Sequence, residues 1–326
     1  MFDDSNITRT AKTEDEYMHR SKLLFDQYHN DTNQLWENDP IQFCHWLIAH
    51  SVEKKWSRAT VKSYKAALKF VMECYGFTDV VDRLSTIDSS DYSSKGKSTS
   101  SNKKKSFSEQ DVAQIESEIN IARKWDELLL FWIKAGIITG LRPSEWSSAK
   151  LVISTEDKAV EQWGELEENN TGHWLIIKNA KDTNNRANGI YRALDLSQLN
   201  IQELKIIKSM LVQIQKQSLE FKAVYNGCRN RLSEITKKFR PRRNKRPSLY
   251  SARHQFRANA SSSKQTLEQL AALMGHATNE TASKYYGYAR LGSGRQPLRP
   301  HPDNVATVSS VYVPRDRVKA SSGLKM

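Results

Sequence analysis

Between Ser85 and Lys105 the chain runs through Ser, Thr, Asp, Lys and Gly with almost nothing apolar. Such a stretch reads as a linker. A chain interrupted in this way cannot wrap one continuous core, so it must fold as two bodies, each burying its own apolar side chains. The length of 326 residues agrees, being that of about two domains. Hydrophobic residues make up 38%, with eight Trp, twelve Tyr and ten Phe to anchor cores, which argues against wholesale disorder. The expected boundaries are 1–84 for a helical first domain, 85–106 for the linker, 107–290 for the second domain and 291–326 for a tail.

Several classes are disfavoured at once. No apolar run approaches the ~20 residues needed to span a bilayer; the longest, Leu128 to Ile133, breaks at Lys134. The opening Met-Phe-Asp-Asp carries no basic-then-apolar signal pattern. Three scattered cysteines, Cys44, Cys74 and Cys228, fit neither a disulfide framework nor a zinc module. A soluble intracellular protein is expected. Its 50 Lys+Arg against 37 Asp+Glu leave a formal charge of +13, which favours a polyanionic partner. Charge alone leaves nucleic acid, a membrane surface and plain solubility all open.

Periodicity predicts helices for most of the chain. Thr13 to Glu16 has capping-box spacing before Tyr17, Leu24 and Tyr28, and Ile41 to Ala49 is an apolar stretch. After Lys54, Lys55 and Arg58, the residues Val61, Tyr64, Leu68 and Val71 share one helical face while Lys62, Lys65 and Lys69 share another. That lysine stripe is either a solvated face or a track for a phosphate backbone. In the second half, Ser108 with Asp111 caps a helix from Val112 to Ile121, and Lys124 to Gly136 forms a more buried one. Trp174–Lys178 and Ile190–Leu196 are β-prone and flank an Asn-rich turn, predicting a hairpin. Helix returns from Leu199 to about Phe239, followed by a basic run from Lys237 to Arg246. Val305 to Val313 is a β-prone stretch in the tail.

The sequence contains no Gly-rich phosphate loop, no Cys/His metal cluster and no nucleophile elbow. Basic residues in unusual contexts stand out instead. Arg142 lies in Thr-Gly-Leu-Arg-Pro-Ser-Glu directly after a buried helix, where the following proline can hold it rigidly and Glu145 can orient it. Lys181 ends the first hairpin strand, Arg253 and His254 follow Tyr250-Ser-Ala, His276 follows Leu-Met-Gly, and Tyr285 and Tyr286 come about ten residues later.

Taken in order, these elements resemble the tyrosine recombinase (phage integrase) family over about Phe107 to Tyr286. The phrases Ser-Ala-Arg-His-Gln-Phe (Ser251–Phe256) and Ala-Ala-Leu-Met-Gly-His (Ala271–His276) are the closest in wording. The resemblance implies a mainly α fold with a small antiparallel sheet. A helical core-binding domain and a catalytic domain would form a C-shaped DNA clamp. It implies cleavage and rejoining of DNA through a 3′-phosphotyrosine, with no metal, ATP or other cofactor. In that scheme Arg142 and Arg253 hold the scissile phosphate, and Lys181 protonates the leaving 5′-oxygen, with Lys178 as runner-up. His276 bonds the phosphate, and Tyr286 attacks, with Tyr285 as runner-up. Tyr250 stands where the family usually carries His; it keeps a hydrogen-bond donor but does not titrate near neutrality.

The implied partners are double-stranded DNA and three further copies in a tetramer on paired sites. No membrane is involved; the location is the cytoplasm of a bacterial cell, with association to the nucleoid through DNA. Phosphate contacts are expected from Arg58, Lys62, Lys65, Lys69, Lys103, Lys104, Lys105, Arg186, Arg240, Arg242, Arg243, Lys245 and Arg246. In this family the tail often packs on a neighbouring subunit. Two rivals remain open: a catalytically inactive DNA-binding regulator or accessory protein on the same fold, and a type IB topoisomerase.

Overall fold

The computed structural model describes residues 10–92, 104–153, 173–180, 187–242, 246–263, 265–280, 292–294 and 298–311. The chain divides into two compact units, 1–102 and 103–326. It is mostly helical with one small four-stranded antiparallel sheet.

The first unit holds α1 (Ala11–Thr32), α2 (Pro40–Glu53), α3 (Arg58–Tyr75) and α4 (Thr78–Thr86). Its core joins Leu24 and Tyr28 of α1, Phe43 and Leu47 of α2, Leu68 and Met72 of α3, and Val80 and Leu84 of α4. The apolar face expected on α3 is the buried one: Val61, Leu68 and Val71 are all at 5% exposure or less. Gly76 ends α3 with φ 78°, a left-handed cap that glycine takes without strain. Helix α1 starts earlier than expected. Thr10, already extended, accepts the Thr13 N–H on its own Oγ1, so Thr10 is the cap and Thr13 lies inside the helix.

The polar stretch beyond α4 is more ordered than its composition predicts. Arg58 donates to Ser89 O and Ser90 O at 3.0 Å each, and Lys65 Nζ donates to Ser85 O (2.8 Å) and Ile87 O (2.7 Å). Lys69 Nζ reaches Ser85 Oγ at 2.9 Å. Cationic side chains take carbonyls at and beyond the end of α4, while Ile87 packs against the core and Tyr92 OH lies 2.7 Å from Ser51 Oγ, so residues 85–92 lie against the helices.

The second unit contains α5 (Glu109–Ser117), α6 (Asp126–Thr139), β1 (Lys150–Ile153), β2 (His173–Lys178), β3 (Tyr191–Asp195), α7 (Ile201–Gln215), α8 (Phe221–Phe239), α9 (Leu249–Ser261), α10 (Leu267–Met274) and β4 (Arg299–Pro300). The capping box at Ser108 and Asp111 forms as expected. The predicted hairpin is β2–β3, with Ile177 opposite Arg192 and Lys178 opposite Tyr191. β1 and β4 flank it, giving the order β1-β2-β3-β4. One face of the sheet sends Leu175, Ile177 and Leu194 into the main helical core; the other packs Val152, Trp174, Ile176 and Ala193 together. The single helical run expected from Leu199 to Phe239 is two helices, α7 and α8.

The tail needs correction. Among the described residues, the β-prone stretch from Val305 does not extend the sheet: Pro302–Ala306 is a short helix started by proline, and the strand partner is the earlier pair Arg299–Pro300. Leu298 and Val308 join the core of the second unit, and Asn304 Oδ1 accepts the Ala193 N–H at 3.0 Å. Residues 298–311 therefore complete this unit rather than hang from it.

Candidate active site

Two helices of the second unit end on glycine in the left-handed region, and each delivers a candidate side chain. α6 stops at Gly140 (φ 68°) and α10 at Gly275 (φ 62°). Space forbids anything larger: a Cβ on Gly140 would strike the Phe256 ring, and one on Gly275 would strike Asn179 and Arg192. Past Gly140 the chain extends to Arg142, which Pro143 keeps out of the helical region (φ −65°, ψ 146°). Past Gly275 comes His276.

Arg253 arrives on α9. Gly136 of α6 faces Ala252 so closely that an added Cβ would stand 2.9 Å from Ala252 Cβ. That approach brings the Arg253 guanidinium onto the carbonyl of Gly140 (2.6 Å) and that of Met274 (2.5 Å). Both belong to helix C-termini, whose last carbonyls lack intrahelical partners and favour cations.

At the centre is Glu145, 1% exposed, in the 3₁₀ helix Pro143–Ser147. Its Oε2 accepts Arg142 N at 2.7 Å and Arg192 Nη2 at 2.8 Å; its Oε1 accepts Arg142 Nη1 at 2.6 Å and Arg192 Nη1 at 3.2 Å. Arg253 Nη1 lies 3.8 Å from Oε2. Burial alone would push this carboxyl up, but Arg192, Arg253 and Arg142 together outweigh it and hold it well below the usual carboxylate range. Among the described residues all three guanidinium groups pair with this one carboxylate, which leaves an excess of two positive charges. Arg192 and Arg253 are fully buried and Arg142 is 6% exposed. A desolvated cluster with surplus positive charge is built to receive an anion.

His276 is buried, and its Nε2 lies 3.1 Å from Arg253 Nη2. A guanidinium only donates, so Nε2 accepts and the ring proton sits on Nδ1. Burial first, then the charges of Arg253, Arg142 and Arg192, lower its pKa well below the ordinary value, so His276 is neutral at pH 7. Tyr250 occupies the first turn of α9, edge-on to His254 with ring centroids 5.3 Å apart. Burial, Lys105 and Arg253 lower the His254 pKa to about 4. Among the described residues no group of three or more His, Cys, Asp or Glu is placed to hold a metal ion.

Of the residues predicted from sequence, Arg142, Arg253 and His276 thus converge, and Glu145 orients Arg142 as expected. Lys181, Arg186, Tyr285, Tyr286, Lys103, Arg243 and Lys245 lie outside the described residues. Lys178 is exposed at the end of β2. Two participants escaped the sequence reading. Arg192 shares the core-facing side of β3 with Leu194, and strict alternation along Tyr-Arg-Ala-Leu-Asp would have flagged an arginine in an inward register. Asn179 gives Nδ2 to Asn188 O (3.0 Å) and Gly189 O (2.9 Å), and its Oδ1 accepts from Arg192. It opens the phrase Asn179-Ala180-Lys181 ahead of the Asn-rich turn, one of the phrases in which the chain resembles the family, but its spacing names no partner.

The described candidate phosphate-contacting cations fall into three sets. Arg58, Lys65 and Lys69 hold carbonyl and hydroxyl groups of their own unit, as described. Lys104 and Arg240 both pair with buried Asp111, and Arg246 donates to Arg240 O (2.8 Å) and Pro241 O (2.5 Å). Lys62, Lys105 and Arg242 are exposed.

No protein-family model matches the chain, and no curated protein matches it either. Among solved structures, a crystal structure of XerA recombinase aligns over 87% of this chain and 90% of its own, with 13% identity and a TM-score of 0.36.

Proposed function

We propose that this protein is a tyrosine-type site-specific DNA recombinase that cuts and rejoins strands through a 3′-phosphotyrosine, in the service of a mobile genetic element. The observation that carries the reading is the convergence of Arg142, Arg253 and His276, far apart in sequence, around one saturated carboxylate with positive charge to spare. A phosphodiester gains negative charge on its non-bridging oxygens as a fifth oxygen approaches phosphorus. Paired guanidinium groups in a dry site match that change in charge.

In this scheme the Tyr286 hydroxyl releases its proton to water as its oxygen attacks phosphorus, the bond to the 5′-oxygen breaks, and Lys181 gives that oxygen a proton. The phosphotyrosine stores the bond energy until another 5′-hydroxyl attacks and releases the tyrosine. His276, neutral and donating through Nδ1, contributes a hydrogen bond rather than a charge. The partners would be duplex DNA and further copies of the chain on paired sites.

The test uses a pool of nicked duplexes with a randomised window, followed by denaturing electrophoresis. A covalent protein–DNA adduct is expected from the native protein and from Tyr285→Phe, and none from Tyr286→Phe. Arg142→Ala and Arg253→Ala should lose the adduct while retaining duplex binding. An adduct that survives Tyr286→Phe and vanishes in Tyr285→Phe reassigns the nucleophile. Duplex binding with no adduct under any condition would instead establish the non-catalytic DNA-binding reading, for which Tyr250 in place of His is the supporting feature.

A further inference from the structure

Arg192 is an unusual residue to bury completely in the second of two hairpin strands. A guanidinium stripped of water is tolerated only when its donors are met, and here they are met by three separate elements. Nε donates to Leu273 O at 3.1 Å, on the last turn of α10 just ahead of His276. Nη1 donates to Asn179 Oδ1, at the root of the β2–β3 hairpin. Nη1 and Nη2 together form a two-pronged pair with the oxygens of Glu145, at 3.2 and 2.8 Å.

A carboxylate offers about four lone-pair sites. Arg192 takes two of those on Glu145, the backbone N–H and Nη1 of Arg142 take the others, and the Ala180 N–H adds a longer contact to Oε1 at 3.4 Å. The carboxylate is then full, and Arg253 stays at 3.8 Å, an ion-pair distance beyond hydrogen-bond reach. Were Arg192 absent, a movement of about 1 Å would let Arg253 close on the vacated positions, since charged N–H···O bonds settle near 2.7–2.9 Å. The net charge of the cluster would also fall from two positive to one.

We propose that Arg192 is a positioning residue for anion capture: by saturating Glu145 it keeps Arg142 and Arg253 presented to a phosphate, and through Asn179 and Leu273 it ties the hairpin and the His276 turn to the same anchor. The inference deepens the recombinase reading in that the phosphate is taken to be the scissile one. Its central claim, that Arg192 controls binding of a phosphate-like anion, can be measured without any recombination.

The experiment compares the full-length native protein with Arg192→Met, Arg192→Lys and the double variant Arg192→Met/Glu145→Gln. Affinity for inorganic phosphate is read from the unfolding midpoint at constant ionic strength, and the rate of adduct formation is read on the nicked duplex pool. Arg192→Met should weaken phosphate binding at least tenfold and slow adduct formation by a similar factor, with duplex affinity changed less than twofold. Arg192→Lys keeps the charge but not the two-pronged pair, and should fall between; it also carries the test if the Met variant does not fold. The double variant restores the net charge of two and removes the competing carboxylate, so it should regain most of both losses. A merely structural role for Arg192 predicts no such rescue, because the double variant removes still more contacts.

Phosphate affinity unchanged in Arg192→Met (or in Arg192→Lys if the Met variant does not fold) overturns the proposal, as does failure of Glu145→Gln to rescue a folded double variant. Absence of phosphate binding by the native protein overturns it too. If the native protein binds phosphate in an Arg192-dependent way but never forms an adduct, the recombinase reading fails and the role of Arg192 stands. If adducts form equally well with and without Arg192, the reverse holds.

Discussion

Glu145→Gln is the perturbation that probes the site most directly, because it changes one charge and almost no volume. In the native protein the carboxylate accepts two hydrogen bonds from Arg142, two from Arg192 and a longer one from the Ala180 N–H, and faces Arg253 at 3.8 Å. An amide can accept on only one atom; whichever way it turns, its NH2 group meets guanidinium or backbone donors. Two charge-assisted bonds are lost, each worth about 1.5–3 kcal/mol, and three buried cations are left without a counter-charge. Breaking a buried ion pair from one side costs about 3–5 kcal/mol, so a loss near 4 kcal/mol is expected. For a unit of this size that is a fall in melting temperature of about 8–16 °C.

The same variant has a signature in pH. The folded-state pKa of Glu145 is depressed, so its ionised form adds stability that is fully present above the unfolded value of 4.5 and is lost as pH falls toward the folded value. The gap between native protein and variant should be flat from pH 7 to about 5. It should then narrow by about 1.4 kcal/mol for each unit below about 4.5. Denaturant titrations of both proteins between pH 3 and 7 measure it. A gap under about 1 kcal/mol at neutral pH, or one that does not narrow in acid, would refute the electrostatic account of the cluster.

Three further outcomes are expected. Gly275→Ala forces a left-handed residue to carry a Cβ, at about 1–2 kcal/mol, and pushes it into Asn179 and Arg192. Thermal unfolding should therefore fall by several degrees and adduct formation should drop well below the native rate; a fully active variant would show that the turn can relax. His276 has a depressed folded pKa, so the neutral ring adds stability above about pH 6.5 that is lost as pH falls below it. His276→Gln should flatten the decline in stability between pH 6.5 and 5 by up to about 1.4 kcal/mol per unit, and an unchanged slope would contradict the burial-driven shift. Removing everything beyond Arg290 should unfold or severely destabilise the second unit. Leu298 and Val308 each contribute about 1.5–3 kcal/mol of burial, so a truncated protein melting within a few degrees of native would show their packing to be dispensable.

What the amino-acid sequence determined by itself was whatever depends on neighbours in the chain. The apolar face of α3, the Ser108 cap, the hairpin strands and the polar break after α4 follow from spacing and composition, since local conformation and face selection are set within a few residues. The Arg142–Glu145 pair belongs here too, because three residues across a proline-started turn bring the two side chains together. Tertiary structure alone decided the rest. Alternation along β3 marks Arg192 as inward-facing, but only the packed sheet brings it against Glu145. Arg253 meets Gly140 and Met274 only because a glycine on α6 lets α9 come close. The cations Lys65 and Arg58, which a helical wheel places on an open face, find carbonyls of a segment more than twenty residues on. Segment 298–311 carries β-forming residues, yet it supplies a two-residue strand beside β3, a turn of helix held by Asn304, and a single bridge from Ser309 to Thr278. In each case a donor or acceptor found a partner too far along the chain for any local pattern to name.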